Sequence, residues 1–140
     1  MAKMVHLTIN GKNIETPEGS TILEAARHAG IDIPTLCYLK DINEIGACRM
    51  CLVEVEGMRT LQAACVYPVR EGMVVNTRSK RVREARRINL ELILSNHEKS
   101  CLKCPKNNHC ELRTLAGKMG ITDIRFEVEP PNRSNDFTNT

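Results

Sequence analysis

The stretch GACRMC, residues 46–51, constrains this chain more than any other. It sets Cys48 and Cys51 two residues apart, so that both thiolates can reach one metal centre. Two thiolates are half of a four-ligand set, and the fold has to supply the rest. Cys37 precedes the pair with ten residues between, and Cys65 follows it with thirteen. A second group, Cys101, Cys104 and Cys110, is spaced by two and five and is one ligand short. His97 stands four positions before Cys101. Seven cysteines and this histidine make two complete four-ligand sets with no thiol left over. The alternative for His97 is a helix-terminal residue whose protonated form suits the dipole; the ligand count favours coordination. His109 is the weaker candidate, because its neighbour Cys110 is already used and adjacent side chains rarely point at one centre. His6 and His28 read as surface positions.

The rest of the composition narrows the setting. An odd number of cysteines argues against a closed disulfide framework. MAKMVHLTING at the N-terminus lacks an apolar run of signal-peptide length. The longest aliphatic runs are of the Leu92-Ile93-Leu94 kind, so no membrane insertion is expected. A cytoplasmic, reducing location is the default, and cysteine pairs there mean metal or redox chemistry. The net charge of +3 is too mild to name a partner. Arg78, Lys80, Arg81, Arg83, Arg86 and Arg87 form a basic stretch, which reads first as a solvated helix face. Docking of an acidic partner is the second reading. Nucleic-acid binding is disfavoured, because only two Phe and two Tyr are available for base stacking.

Hydropathy patterning predicts two halves and a tail. Val5, Leu7 and Ile9 alternate with His6 and Thr8, as in a half-buried strand. Asn10-Gly11 is a hairpin turn, since both residues tolerate positive φ. Lys12–Thr16 is then the return strand. STILEAARHAG reads as a short helix, with Thr21 and Glu24 at capping-box spacing. Ile22, Ala25, Ala26 and Ala29 make its apolar face, and Gly30 stops it. A long loop carries Cys37, Cys48 and Cys51. Leu52–Glu56 and Arg59–Ala64 form a hairpin, with Cys65 beyond it, and Met73–Asn76 is a last strand. A helix from Ser79 to about Asn96 turns Val82, Ala85, Ile88 and Leu92 to one side. After the cysteine-rich segment 97–110, a second helix carries Leu112, Leu115, Ala116 and Met119. The polar end, EPPNRSNDFTNT, reads as tail or linker.

The choice of metal follows from spread. Thiolates suit zinc and iron–sulfur clusters alike. A zinc ribbon shows two C-x2-C knuckles, whereas the first set here has one, with outlying cysteines on a long loop and after a hairpin. Two irons need ligands spread more widely than one zinc does, and the pattern echoes plant-type spacing. Small residues at Gly46 and Ala47 let backbone N–H groups approach the sulfur atoms. Arg49, inside the knuckle, either supports the cluster's charge or faces solvent.

IPTLCYL, GACRMCLVEVEG, the later Cys65, and then LELILSNHEKSCLKCPKNNHCELRTLA resemble a known region. It is the N-terminal iron–sulfur region shared by the large iron–sulfur subunit of respiratory NADH dehydrogenase, the multi-cluster [FeFe]-hydrogenases and the NAD-linked formate dehydrogenases. The resemblance covers residues 3–128 and is nearest the hydrogenase type of flavin-coupled complexes. It implies an α+β chain. A β-grasp, ferredoxin-like domain spans 3–78, a small helical domain 79–128, and a tail 129–140. It implies one [2Fe–2S] cluster on Cys37, Cys48, Cys51 and Cys65, and one [4Fe–4S] cluster on His97, Cys101, Cys104 and Cys110. Family members continue into further cysteine motifs and a catalytic domain, where this chain ends. No catalytic centre and no nucleotide-binding fingerprint is visible.

Two classes of function therefore stand side by side. One is an electron-relay subunit between a flavin- and NAD(P)-binding iron–sulfur subunit and a catalytic redox subunit of hydrogenase, formate dehydrogenase or transhydrogenase type. The other is a structural zinc module for protein or nucleic-acid interaction. Two different clusters in one small protein make sense for a relay, because their potentials differ with ligand and burial.

Overall fold

The computed structural model describes residues 3–97 and 100–121. The chain opens with β1 (Met4–Ile9) and β2 (Lys12–Pro17), an antiparallel hairpin in which Val5 faces Thr16 and Leu7 faces Ile14. Asn10 and Gly11 both take positive φ, +53° and +81°, as a two-residue hairpin turn of this hand requires. Alternation in β1 buries Val5, Leu7 and Ile9 and leaves His6 in solvent. Helix α1 (Ile22–His28) follows, and the Thr21 hydroxyl accepts from the Glu24 N–H at 3.3 Å, the expected cap. Its buried face is Ile22, Leu23, Ala25 and Ala26.

The remaining strands are β3 (Leu52–Val55), β4 (Gln62–Ala63) and β5 (Met73–Asn76). The sheet order is β2-β1-β5-β3-β4, with β1 and β5 parallel and the other neighbours antiparallel. One core joins Leu7, Ile9, Val53 and Val75 of the sheet to Ile22, Leu23 and Ala26 of α1. A mixed sheet gripping one helix in this order is the α+β, β-grasp architecture expected. The return strand is shorter than predicted. Residues 59 and 60 form bends, so only Gln62 and Ala63 pair with β3, and Arg59 instead offers its carbonyl to Arg81.

Helix α2 (Lys80–Ser95) begins at Ser79, whose hydroxyl accepts from the Val82 N–H at 3.2 Å. It packs on β3. Its buried positions are Val82, Arg86, Leu90 and Glu91, while Ile88 and Leu92 are 40% and 45% exposed. The predicted face of Val82, Ala85, Ile88 and Leu92 is thus corrected. Periodicity assigns polar residues outward, but here Arg86 and Asn89 turn inward to donate to the carbonyls of Leu52 and Arg49. A single-turn 3-10 helix at Cys101–Lys103, unforeseen in the sequence, precedes α3 (Glu111–Lys118). The end of the expected second domain and the tail 129–140 lie outside the described residues. Among the described residues no helix is long and apolar enough to cross a membrane.

One surface cluster ties the hairpin to the loop before β5. His6 Nε2 lies 2.6 Å from Glu15, its Nδ1 lies 3.2 Å from Glu71, and its N–H donates to Glu71 at 2.9 Å. The Glu15 hydrogen bond, then the Glu71 charge, raise the His6 pKa above the ordinary 6.5. The His6 backbone N–H, chiefly, lowers that of Glu71 below the ordinary 4.5. The histidine contribution is complete below its unfolded pKa and is lost as pH rises through the raised folded value. The Glu71 contribution is complete above its unfolded pKa and is lost as pH falls through the lowered one. The cluster should therefore stabilise most between about pH 4.5 and 6.5. In His6→Gln, the fall in urea midpoint just above that window should disappear; a midpoint profile identical to the parent chain's would rule the contact out as a contributor.

Candidate functional site

The first cysteine set forms where the long loop, β3 and the segment after β4 meet. Gly46 turns the loop with φ +64° and is buried; a Cβ there would stand 3.2 Å from a Val66 methyl. The glycine is needed for both its conformation and its close approach. Asn43 holds the start of the loop by donating to the Cys37 carbonyl at 2.7 Å. The Cys48 N–H donates to Cys37 Sγ at 3.4 Å, and the Met50 N–H to Cys48 Sγ at 3.5 Å. Arg49 has φ +58°, a left-handed turn between Cys48 and Cys51. The Ala64 N–H donates to the Cys51 carbonyl at 3.1 Å, placing Cys65 beside Cys51. The first N–H groups of α1, on Ile22 and Leu23, donate to the carbonyls of Tyr67 and Ala64. These bonds satisfy orphan donors of the helix and fix the segment bearing Cys65.

Cys37, Cys48 and Cys51 all act electrostatically on Cys65. Burial, the hydrogen bond the Cys65 thiol donates to Cys51, and the charges of Cys51, Cys37 and Cys48 push the Cys65 thiol up to about 12. Burial opposes ionisation of Cys48 as well, but N–H groups of Met50, Cys37 and Leu36 outweigh it and bring its pKa below the usual value. Four thiolates this close repel one another, and a cationic iron group relieves that repulsion. The donor set, with N–H groups already aimed at sulfur, fits an iron–sulfur cluster.

The second set surrounds a small cavity of about 30 Å³ lined by His97, Cys101, Cys104, Asn107, Cys110 and Arg113. His97 follows the C-cap of α2, Asn96, and Cys101 opens the 3-10 helix. Cys110 is the N-cap of α3, and its Sγ accepts from the Arg113 N–H at 3.4 Å. Arg113 also donates to the Asn107 side chain, closing the segment between Cys104 and Cys110. His109 lies on a neighbouring 620 Å³ cleft with Arg27, Asp32 and Lys118, a cleft that Cys110 also lines. Three thiols and one imidazole around one cavity suit a four-iron cluster by donor type. The volume is less than four irons and four sulfides fill, so these side chains must spread as a cluster seats. Among the described residues, no three His, Cys, Asp or Glu side chains close around a single-ion site.

Sequence reasoning missed Arg86 and Asn89. Both sit on the inward face of α2 and hold the segment 49–52 that carries Cys51, Arg86 from 2.7 Å and Asn89 from 3.1 Å. The sole sequence signal for Arg86 was a basic stretch that reads as solvated, and Asn89 had none. Arg49 donates nothing to a sulfur atom in the hydrogen bonds of the described residues; its contribution is backbone shape and a carbonyl for Asn89.

A β-grasp sheet bearing a loop-borne set of four cysteines defines a ferredoxin-like iron–sulfur protein. The chain belongs to the 2Fe-2S iron-sulfur cluster binding domain family, whose model matches residues 2–80. Residues 86–125 match the NADH-ubiquinone oxidoreductase-G iron-sulfur binding region. The chain thus combines a [2Fe–2S]-binding domain with a [4Fe–4S]-binding region, and the zinc alternative falls away. It is 51% identical over 129 residues to the NADP-reducing hydrogenase subunit HndD of Solidesulfovibrio fructosivorans, covering 89% of this chain and 22% of that one. It is 40% identical over 122 residues to the mitochondrial NADH-ubiquinone oxidoreductase 78 kDa subunit of Candida albicans, covering 87% and 17%. The chain therefore spans less than a quarter of either relative. Among solved structures, an NAD+-reducing [NiFe]-hydrogenase in the H2-reduced state superposes with a TM-score of 0.84 at 34% identity, covering 92% of this chain and 54% of that one.

Proposed function

We propose that this chain relays electrons within an NAD(P)-linked oxidoreductase complex. Cys37, Cys48, Cys51 and Cys65 hold the [2Fe–2S] cluster in a domain over residues 3–78. His97, Cys101, Cys104 and Cys110 hold the [4Fe–4S] cluster in a domain over 79–128. Bound clusters of these types supply one-electron transfer. The protein's share is to hold them, donate N–H groups to sulfur and set their separation.

The observation that supports this reading is that α2 contacts the Cys48–Cys51 knuckle near its middle and leads into the His97 cavity at its end. Asn89 of α2 holds the knuckle of the first set, and His97 lies just past the end of α2 at the second. From Asn89 to Ser95 the helix rises about 9 Å, a short spacer between the knuckle contact and the second set. A rigid helix between the two sites keeps that separation constant. The relatives are subunits of an NADP-reducing hydrogenase and of an NADH-ubiquinone oxidoreductase by name, which supports a flavin- and NAD(P)-binding subunit as donor and a second redox subunit as acceptor.

The test is anaerobic purification of the native assembly carrying this chain, followed by reduction with NADH or NADPH. The expected result is co-purification with a flavoprotein, and visible bleaching by pyridine nucleotide that depends on that flavoprotein. A chain that purifies with no flavin and whose clusters pyridine nucleotide never reduces would end the proposal.

A further inference from the structure

Arg86 stands where a helix packed on a sheet normally presents an apolar side chain. It is 8% exposed, in line with Val82 and Leu90 on the buried face of α2. Its Nη2 donates to the Leu52 carbonyl at 2.7 Å, one residue beyond Cys51. Its buried Nε has no hydrogen-bond partner. Burial lowers its pKa to about 10, opposed by the attraction of Cys51 and then of Asp32, so the guanidinium remains charged at neutral pH. Desolvating a cation is costly, and a Met or Leu would pack the same site without that cost. One neutral carbonyl is a poor return for a buried charge. That hydrogen bond ties the cation to the backbone one residue from Cys51, whose attraction exceeds that of Asp32.

We propose that Arg86 is the buried cation that holds up the reduction potential of the [2Fe–2S] centre, acting across the Cys51–Leu52 backbone rather than as a ligand. This rests on the assignment of Cys51 to that cluster. A four-thiolate cluster is anionic, and reduction adds one more negative charge. A fixed cation beside one of its ligands stabilises the reduced form more than the oxidised form, which raises the potential. Its low-dielectric site keeps the effect from being screened by salt. Asn89 shares the gripping role through the Arg49 carbonyl but carries no charge. The two residues therefore separate position from charge.

The test is anaerobic redox titration of the reconstituted full chain, read by electron paramagnetic resonance. Arg86→Gln and Arg86→Met both remove the charge, and Met fills the arginine stem's channel if Gln assembles poorly. Whichever holds a [2Fe–2S] cluster should show its midpoint shifted downward, with the [4Fe–4S] midpoint unmoved. Arg86→Lys should recover much of the shift, and Asn89→Ala should keep the parent midpoint. An unshifted [2Fe–2S] midpoint in Arg86→Met or Arg86→Gln overturns the proposal, as does an equal shift in Asn89→Ala. Failure of the ligand assignment gives a different signature: the [2Fe–2S] spectrum would survive Cys51→Ser.

Discussion

Cys48→Ser should abolish the [2Fe–2S] signal and leave the [4Fe–4S] signal intact, and Cys104→Ser should do the reverse. The intact chain should carry about six irons and six sulfides, the content of one cluster of each kind. Cys48→Ser should then retain about four irons, and Cys104→Ser about two. The two sites draw on different parts of the fold. The first is built by the long loop, β3 and the segment after β4, which α1 holds through the carbonyls of Ala64 and Tyr67. The second is built by His97, residues 101–110 and the first turn of α3. No cysteine is common to both. Serine is a harder and less acidic ligand than thiolate, and it also loses the sulfur acceptor that the Met50 N–H addresses at Cys48. Iron and acid-labile sulfide analysis alongside electron paramagnetic resonance reads both outcomes. Loss of both signals from either single change would show that the sites assemble as one unit. Stoichiometric zinc without sulfide in the parent chain would remove the iron–sulfur assignment itself.

The parts of the fold that were legible in the sequence are those set by local chemistry. Asn10-Gly11, the alternation from Val5 to Ile9 and the Thr21/Glu24 pair each depend on neighbours within a few residues. All three appear as expected. The cysteine spacings were legible for the same reason, since a knuckle is a local device. What escaped was fixed by partners distant in sequence. Arg86 meets Leu52 across 34 residues and Asn89 meets Arg49 across 40, and each turns a polar side chain inward on a face that periodicity reserves for apolar ones. Ile88 and Leu92 were displaced outward in consequence. Arg49 in a left-handed conformation could not be anticipated, because nothing in its type favours positive φ. The preference for His97 over His109 as a ligand came from a count of ligands and not from a location. The structure puts His97 on the cavity with the three thiols and His109 on the neighbouring cleft.

That division leads to the second large effect. His97→Ala should leave the [4Fe–4S] cluster labile or convert it to a three-iron form, because one iron loses its protein ligand. His97→Cys should keep four irons but lower the midpoint potential. A neutral imidazole in place of a thiolate removes one negative charge beside the cluster, so the native potential is the higher one; histidine ligation in Rieske centres acts in the same direction. The backbone around His97 favours this role. Its N–H donates to the Leu94 carbonyl at 3.1 Å, continuing the last turn of α2, and the residue lines the cavity with Cys101, Cys104 and Cys110. The ring nitrogen not bound to iron is then available to a free carbonyl at the helix end, which would set the tautomer. His109→Ala should leave both the spectrum and the potential unchanged, since His109 lines the cleft with Arg27 and Asp32 instead. Anaerobic redox titration of the three variants decides the matter. A shifted cluster in His109→Ala with an unshifted one in His97→Ala would move the fourth ligand to the other histidine and require the segment 97–110 to fold differently around its cluster.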